Sequence, residues 1–305
     1  MNTSKSFSIF YKLLSLLSVV RGYNIFVLVM AQYLAALFIF SPLKSLRIVL
    51  LDYKLFCIVL ASVFVVSAGY IINNFYDVNA DKINRPIKAS LDQIISQKTT
   101  LQIYFLFNFL GFVFGWFVSW RAAIFFAVYI FVIWLYSHKL KKHPFIGLIS
   151  ASALTILPFF AILVYYKNFS KIIFVHAVFL FFILLLRQLL KDLSSLRGAV
   201  ANNYTTFPVK YGERKTRRLG IVFAISTFFP SYVLVNYPSI GYMKYYFLIS
   251  SVVLVFISYF LWKSNLKRHY VLLHNVLKLM LLAGVLSLLF TDPSILVERV
   301  IDKLN

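Results

Sequence analysis

Hydrophobic and polar residues occupy long, separate blocks of this chain. Nine apolar stretches are interrupted only by single polar residues, and charged and turn-forming residues gather between them. A helix needs roughly 20 predominantly apolar residues to cross a bilayer, so each stretch suits one crossing. The pattern predicts nine transmembrane helices, near residues 24–41, 55–74, 101–119, 121–137, 145–166, 172–190, 219–236, 245–262 and 270–290.

No Gly/Ser-rich or Pro-rich linker divides the chain, so we predict a single membrane-embedded domain over residues 1–305. The beginning of the chain differs from the nine spans. The apolar run from Phe7 to Val20 is too short to cross, and Lys5, Lys12 and Arg21 lie within or beside it. Residues 1–22 are therefore expected to form an interfacial helix at the membrane surface.

Composition agrees with this pattern. Hydrophobic residues make up 61% of the chain, aromatic residues 19% and charged residues 13%, whereas soluble domains are about 25% charged. A water-soluble fold has no means of hiding that much apolar surface. We therefore predict an all-α, polytopic membrane protein whose surroundings are the lipid bilayer.

The net charge of +22 also has a membrane explanation. If the N-terminus is inside, twenty Lys and Arg residues fall in inner segments and nine in outer segments. This bias fits the positive-inside rule and places the loops after spans two, four, six and eight in the cytoplasm. Topology and anionic lipid account for the charge, so no nucleic-acid partner is expected.

Acidic residues are scarce, and two of them follow the second span. Asn73, Asn74, Asp77 and Asp81 are spaced so that they share one helical face. Oxygen ligands on such a face suit Mg²⁺, which takes one or two carboxylates and leaves its other positions to water and phosphate. The alternative is an ordinary pair of solvated acids where a helix leaves the membrane.

Basic residues accompany the acids at two places. Lys82, Arg85 and Lys88 follow the first acidic pair, and Asp192 stands beside Arg187 and Lys191 at the end of the sixth span. We expect these two polar helix ends to face one another across the bundle. A cation held by acids and surrounded by Lys and Arg suits a diphosphate, whose charge both neutralise.

Four motifs are spread along the chain in a fixed order. They are Arg21-Gly22-Tyr23-Asn24, Asn73 to Pro86 (NNFYDVNADKINRP), Tyr136 to Pro144 with Gly147, and Arg187 to Asp192 with Gly198 and Thr206-Phe207-Pro208-Val209 before Tyr211-Gly212. With these motifs the chain resembles the UbiA superfamily of intramembrane prenyltransferases. The second and fourth correspond to the two aspartate-rich motifs of that family.

The resemblance implies a bundle of nine transmembrane helices around a central cavity and a Mg²⁺-dependent transfer of a prenyl group. The substrates implied are an isoprenoid diphosphate and a lipophilic acceptor, and a monomer is expected. The implied metal ligands are Asn73, Asn74, Asp77, Asp81 and Asp192. The implied diphosphate contacts are Arg85, Lys141, Arg187, Lys191 and Arg197. Asp77, Asp81, Lys141 and Asp192 are the implied catalytic residues, and Asn24 and Tyr136 are expected to line the cavity.

The chain departs from the family pattern at three positions. Asn74 stands where an Asp is usual, and Ser195 and Ala199 stand where the second motif usually has two carboxylates. One acid on that side would bind a second Mg²⁺ weakly, or the guanidinium of Arg197 would replace the metal. A diverged, non-catalytic isoprenoid-binding protein is therefore an alternative. A transporter is a weaker one, because its acids would lie near the bilayer midplane.

The motifs report the diphosphate end of the reaction and leave the acceptor open. The run DVNADKINRP favours a quinone precursor or a glycerol-phosphate ether lipid, such as geranylgeranylglycerol phosphate, over the haem branch. Prenyl chain length is left undetermined. We expect the protein in a bacterial inner (cytoplasmic) membrane, with its active site facing the cytoplasm.

Overall fold

A computed structural model describes residues 2–42, 44–263 and 266–291, and regular structure in these ranges is helical. Short 3₁₀ turns at Leu140–Lys142, Pro238–Met243 and Leu288–Phe290 and a π-helical turn at Ala36–Phe40 join or extend the helices. The α-helices are α1 (Asn2–Val19), α2 (Gly22–Ala35), α3 (Leu46–Leu50), α4 (Tyr53–Asn84), α5 (Pro86–Asp92), α6 (Gln97–Val118), α7 (Trp120–His138), α8 (Pro144–Tyr166), α9 (Lys171–Ser194), α10 (Leu196–Ala201), α11 (Phe207–Tyr211), α12 (Glu213–Ser226), α13 (Phe228–Val235), α14 (Lys244–Lys263) and α15 (Lys267–Ser287).

Nine helical segments within the described residues are long and apolar enough to cross a membrane, as predicted. Each predicted span corresponds to one of them, so the prediction of an all-α polytopic membrane protein is confirmed. The segments are Gly22–Phe40, Tyr53–Asn84, Gln97–Val118, Trp120–Lys142, Pro144–Tyr166, Lys171–Ser194, Glu213–Val235, Ile240–Lys263 and Lys267–Phe290.

Helix α4 is longer than its apolar stretch and carries the first acidic motif on its last turns. Asp52 caps its N-terminus, because Asp52 Oδ1 accepts hydrogen bonds from the backbone N–H groups of Lys54 and Leu55. The helix ends at Asn84, because Pro86 disfavours helical geometry at Arg85, the residue before it. The expectation that the acidic motif is helical is therefore confirmed.

Helix α4 packs against the spanning helices α2, α6, α7 and α8. Its contact with α6 is close because Gly111 carries no side chain. A Cβ at Gly111 would stand 2.5 Å from Cγ2 of Val65, well inside van der Waals contact. This packing fixes α4 and with it the position of the acidic motif.

Helix α1 and the turn after it close one side of the bundle. Arg21 adopts a left-handed conformation, with φ of 54°, and the chain reverses there into α2. Ser18 of α1 donates a hydrogen bond to Asp92 Oδ1 over 2.6 Å, which attaches α1 to the end of α5. The helix predicted for residues 1–22 is present over Asn2–Val19, and its interfacial position stays a prediction.

Candidate active site

The first acidic motif meets the basic loop through Lys141. Lys141 Nζ lies 2.7 Å from Asp77 Oδ1 and 3.4 Å from Asn73 Oδ1. The side chain of Lys141 is only 7% exposed, so its ion pair with Asp77 is shielded from water. The ammonium group therefore bridges two oxygens on one face of α4, at the position that the motif predicts for a cation.

The position of Lys141 depends on the turn between α7 and α8. The 3₁₀ turn Leu140–Lys142 bends back over the first turn of α8, which Pro144 begins. Gly147 permits this, because a Cβ there would lie 3.0 Å from the carbonyl oxygen of Leu140 and 3.1 Å from that of Lys141. The glycine of the third motif thus serves to bring Lys141 inward.

Tyr204, which the sequence did not single out, completes this cluster. Its hydroxyl lies 3.0 Å from Asp77 Oδ1 and donates to it, and the Tyr76 carbonyl oxygen is 3.2 Å away. The Lys141 ammonium also lies 5.4 Å from the ring centre of Tyr204 and 5.6 Å from that of Tyr76. Burial, and then the charge of Asp77, raises the pKa of Tyr204, so its phenol remains a donor.

The second acidic motif lies at the end of α9. Asp192 Oδ1 accepts a hydrogen bond from Gln188 Nε2 over 2.9 Å. Lys191 is close enough to interact electrostatically with both Asp77 and Asp192, and Tyr136 with the same two carboxylates. The two polar helix ends therefore share one site, which the sequence led us to expect.

Asn84 joins the two motifs directly. Asn84 Nδ2 donates to the carbonyl oxygen of Ser195 over 3.2 Å, and Gly198 N donates to Asn84 Oδ1 over 3.3 Å. A Cβ on Gly198 would stand 2.1 Å from Asn84 Nδ2 and 2.8 Å from the Ala80 carbonyl oxygen. The second motif is thus packed against the end of α4 through a position where only glycine fits.

Ser195 and Ala199, the two departures in the second motif, have surroundings in the structure that give them no role as metal ligands. Ser195 Oγ donates to the carbonyl oxygen of Lys191 over 2.7 Å, so its hydroxyl is engaged with its own helix. Ala199 is buried where α10 meets α4. Both residues hold the motif in place instead of presenting oxygen atoms to a cation.

A central cavity of about 340 Å³ opens beside these motifs. Asn24 and Tyr136 line it, as expected, together with Asn73, Arg187 and Lys191 at its polar end. An apolar chamber of about 150 Å³ continues it and shares five residues with it, Ala31, Phe159, Leu180, Leu281 and Val285. The cavity therefore passes from a charged end to an apolar one.

Two predicted site residues lie away from the cation position. Asn74 Nδ2 donates to Asp92 Oδ2 over 2.7 Å, so its side chain is directed toward α5. Arg197 is exposed on α10. Arg85 is also exposed, but it lines a polar pocket at the mouth of the cavity together with Lys191.

The residues present fit a hard cation. Over the described part of the chain, no three His, Cys, Asp or Glu side chains are grouped closely enough to hold a metal ion by themselves. Asn73, Asp77 and Asp81 nevertheless form an oxygen face on α4, and the ammonium of Lys141 already bridges two of its members. Mg²⁺ commonly uses one or two carboxylates and completes its shell with water and phosphate oxygens.

In the described part of the chain, nine spans accompany a cavity with acids and bases at one end and apolar walls at the other, an arrangement typical of an intramembrane site for a lipid with a charged head. The sequence model of the UbiA prenyltransferase family matches residues 28–283. This chain belongs to that family.

Relatives and solved structures agree with the family. The chain is 29% identical over 193 residues to digeranylgeranylglyceryl phosphate synthase of Pyrococcus horikoshii. The aligned region covers 62% of this chain and 69% of that protein. It is 28% identical over 167 residues to the protein of the same name from Thermococcus sibiricus. That aligned region covers 54% of this chain and 59% of that protein. A UbiA homolog from Archaeoglobus fulgidus bound to GPP and Mg²⁺ superimposes with a TM-score of 0.66, 14% identity and coverage of 90% of this chain and 99% of that chain. This last likeness shows the fold alone.

Proposed function

We propose that this protein transfers a polyprenyl group from an isoprenoid diphosphate to the hydroxyl of a glycerol-phosphate ether lipid, with the help of Mg²⁺. The observation that carries the proposal is the bridge from Lys141 to Asp77 and Asn73, beside a cavity that continues into an apolar chamber. A charged head and an apolar chain fit the two ends of this cavity.

Asn73, Asp77 and Asp81 are the residues that would hold Mg²⁺ at the end of α4. Bound there, the metal would neutralise part of the diphosphate charge and so make it a better leaving group. Asp192, held by Gln188, is the one carboxylate that the second motif offers. With Ser195 and Ala199 in place of acids, that side of the site depends more on basic groups than the family pattern does.

Lys141 is positioned to serve the diphosphate. Its ammonium stands between the rings of Tyr76 and Tyr204 and pairs with Asp77. When a diphosphate arrives, the same ammonium can turn to its oxygens while Tyr204 continues to donate to Asp77. Arg187 and Lys191, on the cavity wall, supply further positive charge to the departing group.

The bond changes follow from these charges. The bond between the allylic carbon and the diphosphate oxygen breaks, and the diphosphate leaves with the electron pair. The hydroxyl oxygen of the acceptor forms the new bond to that carbon, and its proton passes to the departing diphosphate. The apolar walls keep water away from the allylic carbon, because attack by water there would hydrolyse the donor.

The acceptor class is supported by relatives that are under 30% identical to this chain and align with it over part of their length. The Pyrococcus horikoshii and Thermococcus sibiricus proteins carry the name digeranylgeranylglyceryl phosphate synthase. The sequence motif of α4 favours the ether-lipid and quinone branches alike. The positive-inside bias supports a site that faces the cytoplasm. The relatives are archaeal, and a bacterial membrane and a monomeric state stay predictions.

Prenyl transfer by the purified protein in liposomes tests the proposal. Radiolabelled donors of three lengths are offered with geranylgeranylglycerol phosphate or with a quinone precursor, with Mg²⁺ or with EDTA. We expect product with the glycerol-phosphate lipid that disappears with EDTA and returns with Mg²⁺. Lys141→Gln should lose most of the activity, whereas Lys142→Gln, the exposed neighbour, should retain it.

Other results would redirect the proposal. Product with the quinone precursor alone would replace the acceptor and leave the reaction type intact. Magnesium-dependent binding of the diphosphate without any product would favour the non-catalytic alternative and point to Ser195 and Ala199 as its cause.

A further inference from the structure

A pocket of about 340 Å³ at the mouth of the central cavity has an unusually basic wall. We call it the basic pocket. It lies between the turn joining α1 to α2, the junction of α4 with α5, and the helices α9 and α15. Its lining includes His274 and contains no Asp or Glu. Six of its residues carry a positive charge, namely Arg21, Arg85, Lys88, Arg187, Lys191 and Lys278.

Most of these charges form no salt bridge with a carboxylate of the described residues, although Lys191 also interacts over a longer distance with Asp77 and Asp192. Lys88 pairs with Asp92. For the other five, no carboxylate of the described residues lies within 4 Å. Lys278 is close enough to Arg187, Arg85 and Arg21 to be repelled by all three. The Nε of Arg187 is buried and has no hydrogen-bond partner within the described part of the chain. Such crowding of like charges is costly unless an anion enters.

The basic pocket differs in chemistry from the metal site. The metal site presents carboxylates on α4, so a diphosphate needs a cation to bind there. The charged side chains of the basic pocket are all Arg or Lys, so an anion can bind there directly. The basic pocket is the mouth of the central cavity, and seven residues line both, namely Arg21, Tyr23, Asn24, Arg187, Lys191, His274 and Lys278. An anion in the basic pocket would therefore lie close to a diphosphate held at the metal site.

The residues of α15 in this pocket lie outside the four motifs. His274 and Lys278 are one helical turn apart in an otherwise apolar span. His274 Nδ1 lies 3.3 Å from the Arg187 carbonyl oxygen and donates to it, which directs this face of α15 toward α9. An ionisable pair in a span faces a polar cavity or a partner, and here it faces the basic pocket.

We infer that the basic pocket binds the phosphomonoester of the acceptor lipid, without a metal ion. The inference rests on the proposed function, which supplies the acceptor class. A phosphomonoester carries about −1.5 to −2 charge near neutral pH, which suits several Lys and Arg side chains. Leu17 of α1 borders the pocket and is 56% exposed, so the apolar chain of the acceptor has a path along α1 toward the lipid.

The test measures equilibrium binding to full-length protein in nanodiscs. The probes are geranylgeranylglycerol phosphate and the unphosphorylated geranylgeranylglycerol, both in EDTA, and geranylgeranyl diphosphate with Mg²⁺. The variants are Lys278→Gln, Lys278→Arg and the control Lys267→Gln, which removes an exposed charge from the same helix. All are compared with the original protein for thermal unfolding.

We expect the phosphorylated lipid to bind more tightly than the unphosphorylated one. Lys278→Gln should weaken only the phosphorylated lipid, by about tenfold, which is the effect of losing one charged hydrogen bond. Lys278→Arg should restore most of this binding, and Lys267→Gln should change nothing.

Equal binding of the two lipids in the original protein would overturn the inference even if prenyl transfer occurs. A loss confined to geranylgeranyl diphosphate in Lys278→Gln would overturn it too, because the pocket would then serve the donor. Failure of the proposed function gives a different result. The protein would then transfer no prenyl group to the glycerol-phosphate lipid, whereas the binding measurement would still show whether the basic pocket holds that lipid.

Discussion

The amide nitrogen of Asn74 donates a hydrogen bond to Asp92 Oδ2 over 2.7 Å, and this contact gives a physical reason for a departure from the family motif. Asp92 is buried and also accepts hydrogen bonds from Ser18 and Lys88. Its carboxylate is therefore surrounded by donors from α1, α4 and α5. A second carboxylate at position 74 would face Asp92 across this contact and repel it.

We therefore predict that Asn74→Asp destabilises the protein by about 2 kcal/mol, because it replaces a donor to a buried carboxylate with a like charge. Thermal unfolding in detergent measures the change. The double variant Asn74→Asp with Asp92→Asn restores a donor facing an acceptor and should recover most of the loss. An unchanged unfolding temperature in Asn74→Asp would contradict this account.

Tyr204→Phe should lower kcat by about tenfold, because it removes one hydrogen bond to Asp77 while the ring remains over Lys141. The raised pKa of Tyr204 means that its proton is held more tightly in the folded protein. The hydrogen bond is therefore fully present below about pH 10 and is lost only as the pH rises through the folded pKa. The ratio of kcat of the original protein to kcat of Tyr204→Phe should therefore stay constant from roughly pH 6 to 9. A ratio that changes within this range would count against the assignment.

Gly198→Ala should destabilise the protein by about 1 to 3 kcal/mol and reduce prenyl transfer, because the added Cβ collides with Asn84 and the Ala80 carbonyl oxygen. Ala201→Ser adds one atom at an exposed position of the same short helix and serves as control. Urea unfolding and the transfer assay measure both effects. Normal activity in Gly198→Ala would show that α10 can move away from α4 without cost.

Leu180→Trp should shift donor preference toward shorter chains, because Leu180 lies where the central cavity joins the apolar chamber. We expect kcat/KM for a 20-carbon donor to fall by about tenfold or more relative to a 10-carbon donor, as overpacking blocks the passage. Val178→Trp, on the exposed face of the same helix, is the control. Equal losses for both donors would mean that the chain takes another route.

The length of the continuous apolar stretches was sufficient to predict the spans, because a helix that crosses a bilayer needs roughly 20 apolar residues and few other features. It placed the end of the second span near residue 74, whereas α4 continues to Asn84. The apolar stretch needs only the thickness of the hydrocarbon layer, whereas the helix continues until Pro86 disfavours helical geometry at Arg85. The motifs singled out both Lys141 and Asp77, but they assigned Lys141 to the diphosphate and Asp77 to the metal, and the direct ion pair between the two was not predicted.

Other residues of the site carried no usable signal. Tyr204 lies between Gly198 and Thr206 of the fourth motif without being part of its pattern, in a chain with 20 Tyr residues, and only the folded loop brings it to Asp77. Asp92 follows the first motif without resembling part of it, and its role depends on contacts from three helices. His274 and Lys278 are ionisable residues in an apolar span, but the sequence does not indicate that they face α9 and the turn between α1 and α2.

Helix α4 has 32 residues, so at 1.5 Å per residue it is about 48 Å long. The hydrocarbon layer of a bilayer is only about 30 Å thick. Because residues 55–74 alone match this thickness, we expect the remaining turns of α4 to form a stalk that places the carboxylates of Asp77 and Asp81 in the headgroup layer. A single substrate molecule lying along this stalk would straddle the boundary between water and lipid, with its ionic bonds on one side and its hydrocarbon on the other.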